Sequence, residues 1–150
     1  MKGALVATAA LTAVALTGCR GGDRAGPDSD YCQAVQEHQA PLSDIAASTE
    51  QGVVFEALAH YRDLADQAPP DLRDEWSQVI SRIEALEEAL GEADVEPSAY
   101  DPERTLKSLP AEERSAITAA ARDLGDEATV QAMSGIEQQA LDVCKTPLSQ

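Results

Sequence analysis

Cys19 is the residue of this chain with the most specific chemistry, because of what precedes it. Residues 4–16 form an uncharged, largely apolar run, and Leu16, Thr17 and Gly18 lead directly into the cysteine. Such a run is too short to cross the membrane as a helix, which takes roughly 20 residues. It fits the apolar part of a secretory signal, and residues 16–19 match a lipobox. The expected chemistry is attachment of a diacylglyceryl group to the Cys19 sulfur and cleavage of the chain before that residue.

This interpretation divides the chain into three parts. We predict a lipoprotein signal peptide at residues 1–18, an acylated cysteine with a flexible tether at residues 19–28, and a helical domain at residues 29–150. The tether contains three glycines and a proline, a composition typical of a linker. A diacylglyceryl group supplies two acyl chains, which anchor a protein more stably than one. The alternative is an ordinary secretory signal followed by an incidental cysteine.

The cysteine count supports the same interpretation. The chain has three cysteines, an odd number that needs an explanation in an exported protein. Acylation uses Cys19 and leaves Cys32 and Cys144 on an oxidising side of the membrane, where disulfides persist. Cys32 falls in the first turn of the first predicted helix, and Cys144 falls in the last turn of the last one. We therefore predict a disulfide between them; the alternative is a pair of free thiols.

Glu56, His60 and Asp63 are weak candidates for a metal site. Their spacing of four and three residues places them on one face of a predicted helix. Metal sites inside helical bundles use paired Glu-x-x-His motifs, which this sequence lacks, so we predict no metal. His38 fits a structural role on an apolar helix face. The acidic residues at 94–103 lack the order of a calcium loop, so weak cation binding is only an alternative to a solvated loop.

Motifs for catalysis and for cofactors are absent from the sequence. It contains no Gly-rich phosphate loop, no Gly-x-Ser-x-Gly turn and no Cys-x-x-Cys pair. The polar residues able to act in catalysis are dispersed over separate predicted helices. We therefore expect neither an enzyme nor a bound cofactor.

The elements that position these residues are predicted to be helices, because apolar residues recur at spacings of three and four. The clearest stripe predicts a helix over residues 70–90 and consists of Leu72, Trp76, Val79, Ile83, Leu86 and Leu90. Other stripes predict helices at residues 29–47, 53–67, 110–125 and 126–144. Pro41 is expected to kink or break the first helix. Together these patterns predict an all-α, up-and-down helical bundle of about four main helices, with the first and last linked by the Cys32–Cys144 disulfide.

The charge of the chain argues against some classes of partner. It has 27 acidic and 11 basic side chains, with a formal net charge of −16. Nucleic-acid binding depends on Lys and Arg that neutralise phosphates, so we expect no nucleic-acid partner. An anionic bilayer repels the same surface, which leaves the lipid anchor as the expected contact with the membrane.

Three short stretches, taken with the lipobox, resemble known sequences. They are Asp30-Tyr31-Cys32, Ala68-Pro69-Pro70 before a helix that begins with acids and Trp76, and the eight residues from Glu137 to Cys144. On these residues the chain resembles a group of short actinobacterial lipoproteins of unknown function that combine a lipobox with a two-cysteine helical domain. The resemblance implies a secreted, membrane-anchored helical protein. It implies no activity and assigns no functional residue.

The sequence thus predicts a membrane-anchored extracytoplasmic lipoprotein on the outer face of the cell membrane. Its expected role is that of a non-catalytic binding or interaction module for a partner protein or an envelope component. The alternative is an ion- or small-molecule-binding lipoprotein associated with a transporter. A concave pocket with converging polar groups favours the alternative, whereas an exposed apolar patch on a helix favours the interaction module.

Overall fold

The computed structural model describes residues 26–150, which are helical and contain no β-strand within that range. The α-helices there are α1 (Asp30–Ala47), α2 (Val53–Gln67), α3 (Arg73–Glu92), α4 (Pro102–Ser108), α5 (Ala111–Leu124) and α6 (Glu127–Gln139). Short 3₁₀ turns at Pro70–Leu72 and Pro97–Ala99 precede α3 and α4, and a π-helical turn at Ala140–Cys144 continues α6. The predicted all-α class is confirmed.

Side-chain caps define where several of these helices begin. The Ser29 hydroxyl accepts a hydrogen bond from the Cys32 N–H at the start of α1, over 3.2 Å. The Asp126 carboxylate accepts one from the Thr129 N–H at the start of α6, over 2.7 Å, and Asp101 caps α4 in the same way. These caps satisfy N–H groups that have no partner within the helix. The donated backbone N–H groups hold the pKa of Asp101 and of Asp126 below the usual aspartate value.

Pro41 does not interrupt α1, although the sequence predicts a kink or a break there. The helix continues from Asp30 to Ala47. Val35 and Leu42, on either side of the proline, are both buried in the core. Burial of the apolar face on both sides therefore offsets the loss of one backbone hydrogen bond.

The bundle is built around α3, which packs against α2, α5 and α6. All six apolar residues of its predicted stripe are buried. Trp76 and Ile83 belong to a larger core shared with α1, α2 and α6, whereas Leu86 and Leu90 belong to a smaller core with Ile117 of α5. One helix therefore spans both cores, and full burial of each large side chain contributes about 1.5–3 kcal/mol.

Helices α5 and α6 follow one another along α3 and together occupy one row of the bundle. Ile117 of α5 packs in the smaller core, near the C-terminal end of α3. The carboxylate of Asp123, near the end of α5, lies 3.7 Å from the guanidinium group of Arg82 in α3. Thr129, in the first turn of α6, accepts a hydrogen bond from Gln78 over 3.1 Å. The row therefore runs antiparallel to α3, since later residues of the row meet earlier residues of α3.

The predicted number of main helices needs a small correction. Within residues 26–150 the bundle has four rows, but the fourth row is divided into α5 and α6, and the short α4 precedes it. The division occurs at Gly125 and Asp126, where one helix ends and the Asp126 carboxylate caps the next. Because the number of rows is even, the start of α1 and the end of the last row lie together.

Candidate functional site

The predicted acylation site lies outside the described residues. Leu16, Thr17, Gly18 and Cys19 all precede Gly26, where the described chain begins, so lipidation remains a prediction. The last three residues predicted as tether are described. They form a turn in which the Ser29 N–H donates to the Gly26 carbonyl over 2.9 Å. None of the helices between residues 26 and 150 is long and apolar enough to cross a membrane.

Cys32 and Cys144 form the predicted disulfide, with their Cα atoms 5.0 Å apart. Cys32 lies in the first turn of α1, and Cys144 closes the π-helical turn after α6. Both residues are buried. The bond links the first and last helical regions at the end of the bundle where the chain arrives from Cys19.

His38 of α1 and His60 of α2 face each other across the helix pair. Their Nδ1 atoms lie 2.8 Å apart, within hydrogen-bond distance, and the two rings meet edge to face at an interplanar angle of 70°. A neutral imidazole has one N–H and one lone pair, so one ring donates and the other accepts. The Asp63 carboxylate lies 3.9 Å from Nε2 of His38. Which ring donates and which accepts depends on their tautomers.

Solvent reaches this histidine pair. The His38 side chain is 18 % exposed, and that of Asp63 is 68 % exposed. His60 is likewise half-buried. The pair therefore combines a fixed geometry between two helices with access for a small ligand.

The structure does not bring the weak metal candidates Glu56, His60 and Asp63 together as one site. Asp63 approaches His38, His60 pairs with His38, and Glu56 is exposed on the same helix. Within residues 26–150, no three His, Cys, Asp or Glu side chains are grouped so as to hold a metal ion. The single-helix triad is thus replaced by a pair of histidines from two helices.

Sequence analysis missed the pairing of His38 with His60, although a positional signal exists. The two residues lie at similar distances from the turn that joins α1 to α2, nine residues before Ala47 and seven after Val53. Residues equally far from the turn of a helical hairpin lie opposite each other. The spacing of residues within α1 or within α2 alone does not show this pairing.

A surface depression of about 550 Å³ lies at the disulfide end of the bundle. Its walls are the turn before α1 and the segment between α2 and α3. The charged side chains that line it, Asp28, Asp30, Asp66 and Arg73, are all exposed. Small-molecule sites are mostly apolar and enclosed, so this acidic, open depression has the character of ordinary surface.

Exposed apolar side chains are concentrated on α6 and the turn after it. Val130 is 54 % exposed and Leu141 is 50 % exposed. Within the described residues, these are the large hydrophobic side chains that are exposed to solvent. They lie about three helical turns apart, which places them on the same side of the helix. Ser134 and Glu137 are exposed between them on that side, so the two apolar side chains are separate contact points and do not form a continuous patch.

Tyr31 and Trp76 carry polar atoms in the core. The Tyr31 hydroxyl and the Trp76 indole N–H are buried and make no hydrogen bond within the described part of the chain. Burial raises the pKa of Tyr31 to about 12, and the nearby Trp76 side chain opposes that rise only in part. These groups belong to the packing of the bundle, since Tyr31 is 2 % exposed and Trp76 is 1 % exposed.

Comparison with known proteins finds no matching protein family, no matching curated protein and no matching solved structure.

Proposed function

We propose that the protein is a lipid-anchored extracytoplasmic lipoprotein whose helical bundle acts as a non-catalytic binding or interaction module on the outer face of the cell membrane. The observation that supports this most is the Cys32–Cys144 disulfide. Disulfides persist in oxidising compartments outside the cytoplasm. The bond also accounts for two of the three cysteines, and the third, Cys19, follows the lipobox.

An anchor of this kind keeps the bundle close to the membrane. The predicted tether at residues 19–28 reaches about 30 Å when fully extended. Confinement within this distance raises the effective concentration of a neighbouring membrane or envelope partner, so weak contacts suffice for binding. Val130 and Leu141 supply separate apolar contact points on an otherwise acidic protein.

The geometry of the histidines supports a non-catalytic role. His38 and His60 pair with each other rather than with a serine, threonine or cysteine side chain. Nucleophilic catalysis requires a nucleophile within hydrogen-bond reach of the base, and a third group that orients the base. The bundle is therefore better suited to presenting a surface than to chemistry.

Metabolic labelling with palmitate tests the anchor. In a bacterium that modifies lipoproteins, the wild-type chain is expected to incorporate label and to fractionate with the membrane. Cys19→Ser is expected to lose both properties, whereas the Cys32→Ser/Cys144→Ser variant keeps the label and serves as the matched control. Label retained on Cys19→Ser would contradict the proposal.

Site-specific photo-cross-linking in intact cells tests the interaction surface. A photoreactive residue at Val130 or at Leu141 is expected to give one defined adduct with a membrane or envelope component. The same residue at Glu112, exposed on α5, is the control and is expected to give none. Equal patterns at all three positions would mean that α6 is not the interaction surface.

The histidine pair favours a second candidate function, that of an ion-binding lipoprotein associated with a transporter. His38 and His60 are the described residues whose arrangement and exposure suit a small ligand. Loss of ion binding from variants of this pair would test that candidate separately from the anchor.

A further inference from the structure

We propose that His38 and His60 together bind one divalent transition-metal ion, with Cu(II) the best fit, between α1 and α2. The proposal needs neither the lipid anchor nor a protein partner, so it stands apart from the interaction module proposed above. It depends on the distance between the two rings and on their access to solvent.

The distance between the ligand atoms suits a tetragonal ion. Nδ1 of His38 and Nδ1 of His60 lie 2.8 Å apart. Two nitrogens bound about 2.0 Å from a metal at adjacent corners of a square are about 2.8 Å apart, which is the arrangement that Cu(II) and Ni(II) prefer. A tetrahedral zinc ion instead holds two nitrogens about 3.3 Å apart. Cu(II) also binds nitrogen ligands more strongly than the other divalent ions of its row.

Metal binding replaces the hydrogen bond between the rings. A hydrogen bond between the two Nδ1 atoms needs one donor and one acceptor, so one of these atoms already has a free lone pair in the absence of metal. The other ring moves its proton from Nδ1 to Nε2 through solvent, so the number of protons on the two rings is the same before and after binding. Each ring also turns by about 45° so that its lone pair points at the ion instead of at the other nitrogen.

Asp63 acts as a positioning residue for His38. A metal-bound histidine commonly directs its other N–H toward a carboxylate, which fixes the tautomer and the ring orientation. The Asp63 carboxylate lies 3.9 Å from Nε2 of His38, which is beyond hydrogen-bond distance, so it acts on this ring through its charge. Because Asp63 is 68 % exposed, its contribution is screened by water and is smaller than that of either ligand.

The remaining coordination positions belong to water. The described residues offer no third His, Cys, Asp or Glu ligand beside the pair. The partial exposure of His38 and His60 admits both the ion and its water ligands. The net charge of −16 raises the local concentration of cations around the protein and favours capture of the ion.

The test uses the untagged full chain, purified in a non-ionic detergent, stripped of metal with a chelator and titrated with Cu(II) against glycine as competitor. We expect one tightly held Cu(II) per chain and, in a sample free of glycine, an electron paramagnetic resonance spectrum with splitting from two nitrogens. His38→Gln and His60→Gln are each expected to weaken binding by about tenfold or more, and Asp63→Asn by less. Glu56→Gln, on the same helix as His60, is the matched control and is expected to bind as the wild type does.

Two results would overturn the proposal. One is Cu(II) affinity unchanged in the His38→Gln/His60→Gln variant, which would place the ion on the acidic surface. The other is a wild-type spectrum with oxygen donors alone. The spectrum of the wild-type protein decides the question even where a variant loses helicity by circular dichroism.

Discussion

The Cα atoms of Cys32 and Cys144 lie 5.0 Å apart, although 112 residues separate them in the sequence. The disulfide therefore closes a loop that contains nearly all of the described bundle. It acts mainly on the unfolded chain, whose conformations it restricts, and this effect grows slowly with loop length.

Removal of this disulfide is expected to destabilise the bundle strongly. For a loop of this length the chain-entropy estimate is about 4–5 kcal/mol, and strain in the native state reduces it. Cys32→Ala/Cys144→Ala is therefore expected to lower the free energy of unfolding by about 2–5 kcal/mol in a denaturant titration. Cys19→Ala leaves the bridge intact and is the control. An unchanged unfolding midpoint in the double variant would contradict the expectation.

Local signals were sufficient to predict much of this architecture. The stripe from Leu72 to Leu90 predicts α3 because every step of three or four residues returns to the same helix face. The Cys32–Cys144 bond follows from two predictions: acylation at the predicted lipobox assigns one cysteine, and an even number of rows brings the other two together. Both arguments need only the spacing of residues along the chain.

Contacts that depend on how two helices are rotated against each other were not predicted. The pairing of His38 with His60 depends on how α1 is rotated against α2, which the spacing within either helix does not specify. The break at Gly125 and Asp126 is predicted, but the sequence does not show that α5 and α6 continue along one row of the bundle, because a capped break and a true turn have similar sequence signals. The burial of Leu148 was not predicted either, because this residue follows the last predicted helix and the apolar periodicity does not extend to it.

Replacing Gly52 and Gly91 by alanine is expected to change the stability of the protein in opposite directions. Gly52 has a φ of 74°, and a Cβ there would overlap the carbonyl oxygen of Pro97. Gly52→Ala is therefore expected to destabilise the protein by about 1–3 kcal/mol. Gly91 lies in the last turn of α3 with no atom within 4 Å of an added Cβ, so Gly91→Ala is expected to stabilise it by about 0.5–1 kcal/mol. Thermal unfolding measures both: a stabilising Gly52→Ala would contradict the account of Gly52, and a destabilising Gly91→Ala would contradict that of Gly91.

Alkaline pH is expected to destabilise the protein through Tyr31. Burial raises the pKa of Tyr31 from 10.0 to about 12 in the folded state. Below pH 10 the phenol of Tyr31 is protonated in both the folded and the unfolded state, so the free energy of unfolding does not depend on pH through this group. Between pH 10 and 12 the unfolded chain releases the proton and the folded chain keeps it, so up to about 2–3 kcal/mol is lost.

Tyr31→Phe is the variant that isolates this loss. We expect its stability to fall less steeply over that pH range, measured by denaturant unfolding at a series of pH values. Some loss remains, because burial also raises the pKa of Tyr61 and of Tyr100. At neutral pH the variant is expected to be at least as stable as the wild type, because it removes a buried hydroxyl that makes no hydrogen bond within the described residues. Equal pH dependence in both proteins would contradict the role of Tyr31.

Leu148 and Leu141 provide a matched test of how the C-terminal segment is held. Leu148 is 2 % exposed and belongs to the larger core, whereas Leu141 is 50 % exposed. The Gln39 side chain donates a hydrogen bond to the Pro147 carbonyl over 3.0 Å, which fixes the segment against α1. Leu148→Ala is therefore expected to cost about 2–3 kcal/mol, since it leaves a cavity, and Leu141→Ala to change stability by about 0.5 kcal/mol at most. The fluorescence of Trp76, the one tryptophan of the chain, reports unfolding of this core. Equal effects of the two substitutions would show that the segment after Cys144 is not docked on the bundle.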